Sequence, residues 1–297
     1  MKKIFYYTVL ISIFTIGFTS CKKKTDDPVA IIPTPIDTMN YDMNEASVIN
    51  AGWTKTFNED FSTDLSKWNI WQGGAYNNEF QCYTSASKNL SLNNGILYIK
   101  ALKEKVTGDT SNVDNTQGSF NFTSARIESK STISANNVTP KIRYSARIKL
   151  PRGYGMGAAF WSYGANWPTN GDITMAARGD LPLEISTNYS YGAYISTNQV
   201  LISSLANYDT NIDLTRYWHV YEVIWEQNTL TFMLNGKVIR VLDNSVSPGD
   251  FISSMFGKTQ NIVLNLAVGG NYFNNPNPST IVTGTMQVDW VRVFTNK

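Results

Sequence analysis

Beyond residue 52 the chain alternates apolar and polar positions over short runs, separated by Gly, Asn, Asp and Pro, and few stretches carry a helical period. In the run 142–150, Ile142, Tyr144, Ala146, Ile148 and Leu150 fall on one face and Arg143, Ser145, Arg147 and Lys149 on the other. That two-residue period predicts a half-buried strand. Leu90-Ser91-Leu92 and the run from Ile96 to Lys100 flank Asn93-Asn94-Gly95. Leu230 to Leu234 and Lys237 to Val241 flank Asn235-Gly236. Both read as β-hairpins, because Asn-Gly supplies the left-handed backbone that tight hairpin turns need. Ile262 to Val268 and Met286 to Phe294 are further apolar strands, and no internal repeat is visible. Many short strands punctuated by turn residues predict an all-β fold, a two-sheet antiparallel β-sandwich, as one domain over residues 52–297.

The N-terminal stretch breaks this pattern. Lys2-Lys3 precedes an apolar run from Ile4 to Thr19, and Cys21 follows. A basic start, a short apolar core and a small residue before the cysteine read as a secretion signal over 1–20 rather than a spanning helix. Residues 21–51 are rich in Pro, Asp, Thr and Ile, as in Ile31-Ile32-Pro33-Thr34-Pro35-Ile36, and read as an extended tether. Phe18-Thr19-Ser20-Cys21 resembles a bacterial lipobox, and Lys22-Lys23-Lys24-Thr25-Asp26-Asp27 loosely resembles an export tag for the outer leaflet. The resemblance implies a lipid on Cys21 and a place in the cell envelope, anchored to the outer membrane on its surface or periplasmic side. Cys82 then has no partner, and no disulfide is expected.

Composition narrows the classes. With 42% apolar and 13% aromatic residues the chain can bury a sizeable core. A net charge of +2 over 297 residues argues against a nucleic acid or another polyanion as partner. With one histidine, His219, and no thiol pair, a His-based triad or a zinc site is nearly excluded.

Several motifs then occur in a fixed order. They are Phe57-Asn58-Glu59-Asp60-Phe61 with Lys67-Trp68, Asn77-Asn78-Glu79-Phe80-Gln81-Cys82-Tyr83, and Thr123-Ser124-Ala125-Arg126-Ile127. Ala146 to Pro151, Ala159-Phe160-Trp161, His219-Val220-Tyr221, Asn265 to Gly270 and Val288 to Val293 follow. Together they resemble glycoside hydrolase family 16, the laminarinase and lichenase family, over roughly Trp53 to Phe294. The resemblance implies a jelly-roll, concanavalin A-like form of the sandwich. It also draws attention to Gly171-Asp172-Ile173-Thr174-Met175-Ala176-Ala177-Arg178-Gly179. In the family this strand reads Glu-x-Asp-x-x-Glu or Glu-x-Asp-x-Glu, with the first Glu as nucleophile and the last as acid/base. The matching residues here are Asp172, Thr174, and either Ala177 or Ala176.

A retaining glycosidase needs two carboxyl groups about 5–5.5 Å apart. The longer spacing would need a bulge to bring its last residue back to the cleft face. Either alanine lacks a proton to give, and general acid help alone is worth about 10²–10⁴-fold. Asp172 is one methylene shorter than Glu, so its oxygens would fall about 1.5 Å short of in-line attack. Its other role is a hydrogen-bonded polar residue in the cleft. A relocated acid is conceivable in Glu184, which either faces the cleft from the next strand or points to solvent.

The resemblance places Asn78, Glu79, Arg126, Trp161, Trp167 and Asn188 in or beside the cleft, where aromatics stack on sugar faces and polar groups bond hydroxyls. Trp161 has core packing as its competing role. Tyr189, Tyr191 and Tyr194 are further aromatic candidates, and Asn271 to Asn275 a possible rim. The family also implies a structural calcium away from the cleft, at Asp60, Asp289 and a carbonyl near Gly95. The reading that follows is a monomeric, lipid-anchored protein that binds a β-glucan-type polysaccharide or oligosaccharide without its catalytic glutamates. An active endo-β-glycanase acting on β-1,3/1,4-glucans is the alternative, and a structural or adhesion lipoprotein the third.

Overall fold

The computed structural model describes residues 40–111, 113–195, 198–243 and 252–297. Helix α1 (Glu45–Asn50) leads into β1 (Thr54–Glu59), β2 (Trp68–Ile70), β3 (Gln81–Tyr83), β4 (Leu90–Asn93), β5 (Ile96–Ser111) and β6 (Asp114–Ser124). Next come β7 (Arg126–Ile133), β8 (Lys141–Lys149), β9 (Met156–Tyr163), β10 (Asp172–Arg178), β11 (Glu184–Ile195) and β12 (Asn198–Ser203). The remainder are β13 (Ala206–Asp209), β14 (His219–Trp225), β15 (Thr229–Leu234), β16 (Lys237–Asp243), β17 (Gln260–Val268) and β18 (Gly284–Asn296).

Two sheets result. One runs β16-β15-β14-β8-β18-β5-β6-β3, with β1 added to β18 and β4 to β5. The other runs β12-β11-β10-β9-β17-β7-β2, with β13 also on β11. Every pairing is antiparallel except β3 with β6. This is the jelly-roll sandwich expected from the strand pattern and the resemblance. The predicted alternation on β8 is realised, since Ile142, Tyr144, Ala146, Ile148 and Leu150 are all buried. Facing them across the sandwich are Phe160, Ile173, Met175, Leu264 and Leu266, in one continuous core. Both hairpin turns form as read. Asn94 and Gly95 take φ of 51° and 73°, and Asn235 and Gly236 take 52° and 72°. His219 and Cys82 are buried packing residues: the His219 ring bonds Asn235 at 3.0 Å, and Cys82 lies on β3 beside β6.

The proposed signal peptide, Cys21 and the tether up to residue 39 lie outside the described residues. The last part of the tether does not behave as one. Residues 40–51 are folded onto the outer face of the ten-stranded sheet, where Met43 and Val48 pack with Val220, Trp290 and Phe294. Asn44 caps α1 by accepting from Ser47 N at 3.1 Å. The Tyr41 N–H donates to Trp218 O, and Arg147 Nε donates to Tyr41 O at 2.8 Å. Glu45 pairs with Lys55 and Arg292. The domain therefore starts by Asn40, not at 52. A six-residue helix with one buried side chain is too short to show a period in sequence.

A chain truncated to begin at Gly52 uncovers Val220, Trp290 and Phe294. It is expected to unfold at lower urea than one beginning at Asn40, by several kcal/mol, since each large apolar side chain left uncovered costs about 1.5–3 kcal/mol. Equal midpoints in urea would restore residues 40–51 to the tether.

Candidate active-site cleft and its residues

Strand β10 has one face in the core and one on the outer side of the eight-stranded sheet. Ile173, Met175 and Ala177 point into the core at 0%, 2% and 4% exposure. Asp172, Thr174, Ala176 and Arg178 therefore share the outer face of the eight-stranded sheet. Pairing with β9 is unbroken from Asp172–Tyr163 to Arg178–Gly157, and pairing with β11 runs from Asp172–Ser190 to Ala176–Ser186. No bulge interrupts β10. The two spacings left open by the sequence are thereby separated: Ala176 stands on the outer face with Asp172, and Ala177 is a core residue.

Cross-strand register extends these positions into rows. Ser190, Asp172, Tyr163 and Asn261 form one, and Asn188, Thr174, Trp161, Val263 and Glu128 the next. Ser186, Ala176, Ala159, Asn265 and Arg126 form the third.

Asp172 is 9% exposed. It accepts from Trp167 Nε1 at 3.0 Å and from Thr174 Oγ1 at 3.4 Å, and the Ser190 hydroxyl also bonds it. Burial pushes its carboxyl up to about 6, against the pull of these three donors. Positions 172 and 176 are four residues apart, about 13 Å between Cα atoms. Two glutamates could reach towards each other across that span, but the Ala176 methyl offers nothing. Glu184 is on the outer face, as one reading of the sequence had it, yet it is no partner for Asp172. It lies two residues beyond Ser186, about 20 Å along the sheet from the Asp172 row, far outside the bond-cleaving range. Asp180, the other nearby carboxylate, pairs with Arg178 at 2.8 Å.

On the other side of the face stands a caged cation. Arg126 is 6% exposed, and its guanidinium lies 4.1 Å from the Trp71 ring centre, 4.8 Å from Trp161 and 5.4 Å from Tyr163. Glu128 neutralises it at 2.7 Å and accepts from the Tyr163 hydroxyl at 3.0 Å. Trp161 and Tyr163 are stacked at 5.1 Å. Trp161 is thus a half-buried outer-face residue rather than core, and its Nε1 donates to Asn265 at 2.8 Å. Asn265 donates to the Tyr83 hydroxyl, which donates to Glu79 at 3.3 Å. Gln81 donates to the same Glu79 oxygen at 2.7 Å. Burial pushes the Glu79 carboxyl upward, while Gln81 and Arg126 oppose it. Asn78 donates to Asn271 at 2.9 Å and so joins two loops at the rim.

The structure therefore groups Asn78, Glu79, Arg126 and Trp161 at one side, and Asp172, Trp167 and Asn188 at the other. Asn188 bonds Ser190 and Ser203. Tyr189 is fully buried and Tyr191 packs against the core, so the tyrosine candidates narrow; the Tyr194 side chain lies outside the described residues. Sequence reasoning missed Trp71, Glu128, Tyr163 and Asn265. Two of them were within reach, because Glu128 and Tyr163 follow Arg126 and Trp161 by one strand period. It also missed the reach of Tyr272, on the expected rim. Its hydroxyl lies 2.9 Å from Ser186 Oγ, and its ring passes beside Gly157. That ring crosses the sheet next to the Ala176 row.

The residues expected to hold calcium do not form a ligand set as they stand. Gly95 does lie against the Asp60 carbonyl. The Asp60 carboxylate, however, is bonded by Ser62, and that of Asp289 by Arg147. No group of three or more His, Cys, Asp or Glu able to hold a metal occurs among the described residues.

Asp172 should also mark the stability profile. A folded carboxyl near 6 against an ordinary value of 3.8 means that the folded state holds its proton longer than the unfolded state. Its stability contribution is then fully present below about pH 4 and is lost as pH rises to about 6, by up to about 3 kcal/mol. In Asp172→Asn this fall between pH 4 and pH 7.5 should shrink by that amount in urea melts. Parallel profiles for the two proteins would refute the assignment.

Comparisons with known proteins agree with this architecture. The model of glycosyl hydrolases family 16 matches residues 69–292. Glucan endo-1,3-beta-glucosidase A1 of Niallia circulans is 30% identical over 269 residues, covering 83% of this chain but 38% of that protein. The chain thus spans well under half of that relative's length. Glucan endo-1,3-beta-glucosidase of Cryptopygus antarcticus is 31% identical over 261 residues, 82% of this chain and 91% of that one. Among solved structures, the endo-beta-1,3-glucanase of Pyrococcus furiosus superimposes with a TM-score of 0.66 at 27% identity, covering 82% of this chain and 94% of that chain. The chain belongs to glycosyl hydrolases family 16.

Proposed function

We propose that the chain is a cell-surface glycan-binding protein whose family cleft holds a β-glucan-type polysaccharide without cleaving it. The observation that carries this is the outer-face series Asp172, Thr174, Ala176 on an unbroken strand. The position for a proton donor holds a methyl group, and Glu184 is about 20 Å away along the sheet. The platform supports binding as such. Trp161 and Tyr163 offer faces for sugar C–H groups, and Asn78, Glu79 and Asn188 offer hydrogen bonds. Lipid attachment at Cys21 completes the proposal; a Cys21→Ser protein that still partitions with membranes would remove it.

The second reading, an endo-β-glycanase on β-1,3/1,4-glucans, is favoured by the relatives' names and by the raised carboxyl of Asp172, which sits in the range of a general acid. It lacks the Asp172–Glu184 pair, and needs a carboxyl delivered by movement.

Calorimetry against laminarin, lichenan, agarose and carrageenan, run beside a reducing-sugar assay, separates the two. Binding of laminarin or lichenan without sugar release is expected. Binding to no β-linked polysaccharide overturns the proposal, and release that is lost in Asp172→Asn establishes the enzyme. The combined substitution Asp172→Glu, Thr174→Asp and Ala176→Glu should raise release at least about 10²-fold, the scale of general acid help. Tyr272→Ala in the same background relieves crowding beside position 176.

A further inference from the structure

On the outer face, the Asp172 carboxylate is bonded to an aromatic side chain on a firmly framed loop. Loop 164–171 enters β10 carrying Trp167, which is 37% exposed at its tip. The loop backbone is held without help from Asp172. Gly164 N donates to Gly171 O at 3.1 Å, and Gly192 N donates to Pro168 O at 3.1 Å. Lys258 Nζ donates to Thr169 O at 2.6 Å, and Gln260 Nε2 to Asn170 O at 2.8 Å. Packing is close at both ends: a Cβ on Gly171 would meet Met255 and the Ser190 carbonyl, and one on Gly164 would meet Asn170 and the Thr259 carbonyl. Gly171 also needs its φ of 67°. The frame is fixed, the indole is partly exposed, and its N–H ends on Asp172 Oδ2 at 3.0 Å.

We propose that Asp172 is a positioning residue for ligand binding: its carboxylate fixes the Trp167 indole as a stacking platform for one sugar ring at the cleft rim. The role needs no bond cleavage, and it gives a reason to keep a buried acid at this position when the acid opposite is gone. A carboxylate is acceptor-only, so it holds an indole N–H in one orientation, whereas an amide offers that donor a competing NH₂. A charge-assisted bond is also stronger than a neutral one. The inference rests on the glycan-binding reading for its ligand, but the indole–carboxylate bond can be examined without any ligand.

The groups around Asp172 make the bond responsive to pH. From β9 the neighbour is Tyr163, from β11 Ser190, and from its own strand Thr174. The Tyr144 phenol on β8 and the Tyr189 phenol on β11 feel its charge and are pushed above their ordinary value by burial. Lys258 stands at the far side of the loop, against Thr169 O and the Tyr191 hydroxyl. Neither phenol titrates near the range in which Asp172 gains its proton.

The test uses the full chain with ¹⁵N-labelled tryptophan, the Trp167 indole signal being assigned from Trp167→Phe. The indole N–H resonance of Trp167 is expected to move with a single midpoint near pH 6, and to stay flat in Asp172→Asn. Laminarin affinity, measured on the same samples, should fall about tenfold below that midpoint, the scale of one charge-assisted bond. In Asp172→Asn it should be weak at every pH, and in Trp167→Phe weak and independent of pH. A resonance that does not titrate, or that titrates equally in Asp172→Asn, overturns the proposal whether or not laminarin binds. So does an unchanged affinity in Asp172→Asn, which would leave the bond a structural contact. Failure of every glycan to bind would defeat the functional reading alone, since the indole titration would still report on the bond.

Discussion

The constraint on which the site depends is the continuous register of β10 between β9 and β11. A strand has a two-residue side-chain period, so one inserted residue moves every later side chain to the opposite face. Here nothing is inserted between Asp172 and Arg178. Ile173, Met175 and Ala177 are consequently locked into the core, and Thr174 and Ala176 follow Asp172 outward. The core side of the strand enforces this. Turning Ala176 inward would also turn Met175 out of the core, at a cost of about 2 kcal/mol or more for one large side chain. The chemistry available on the outer face is therefore decided by packing on the inner one.

The same coupling sets what the two sides of the outer face can do. At the β7 side, a guanidinium has been removed from water but compensated three times, by tryptophan faces, by a tyrosine face and by Glu128. The result is a rigid, nearly neutral patch of aromatic surface. At the β10 side, Asp172 has also been removed from water, but its bonded partners are neutral donors. Hydroxyls and an indole cannot replace a counter-charge, so its proton affinity rises instead. Two buried ionisable groups on one sheet are thus treated in opposite ways, one given a counter-charge and one left with neutral donors alone.

Much of the fold was legible in the sequence because it rests on local rules. The β8 alternation and the two Asn-Gly turns each depend on a few adjacent residues, and the structure realises them. The start of the domain was not legible, because Met43 and Val48 are significant only once Val220, Trp290 and Phe294 are brought beneath them. The site divides in the same way. Asp172, Trp161 and Arg126 could be picked out by resemblance. The choice between Ala176 and Ala177 could not, since it rests on a bulge that only pairing with β9 can reveal. Glu184 shows the limit from the other direction. Its face was arguable from the strand period, but its distance from Asp172 depends on the register between β10 and β11, which no stretch of sequence states.

What the arrangement favours energetically can be argued from where its interactions are placed. Catalysis needs contacts that strengthen as the transition state forms; contacts equally good to the bound substrate tighten binding and leave the chemical step unchanged. Aromatic faces and amide hydrogen bonds at the Arg126 side are of the second kind, since a bound sugar ring would meet them before any bond had stretched. Contacts of the first kind would have to lie at the leaving oxygen, between rows 172 and 176. There the sheet presents Thr174 and Ala176, with Tyr272 bonded to Ser186 alongside. None of these gains interaction with a developing charge as a carboxylic acid would. The interactions that remain on this face are of the kind that would hold a glycan in its ground state, and their distribution, more than the absence of any one residue, is what the proposed binding role rests on.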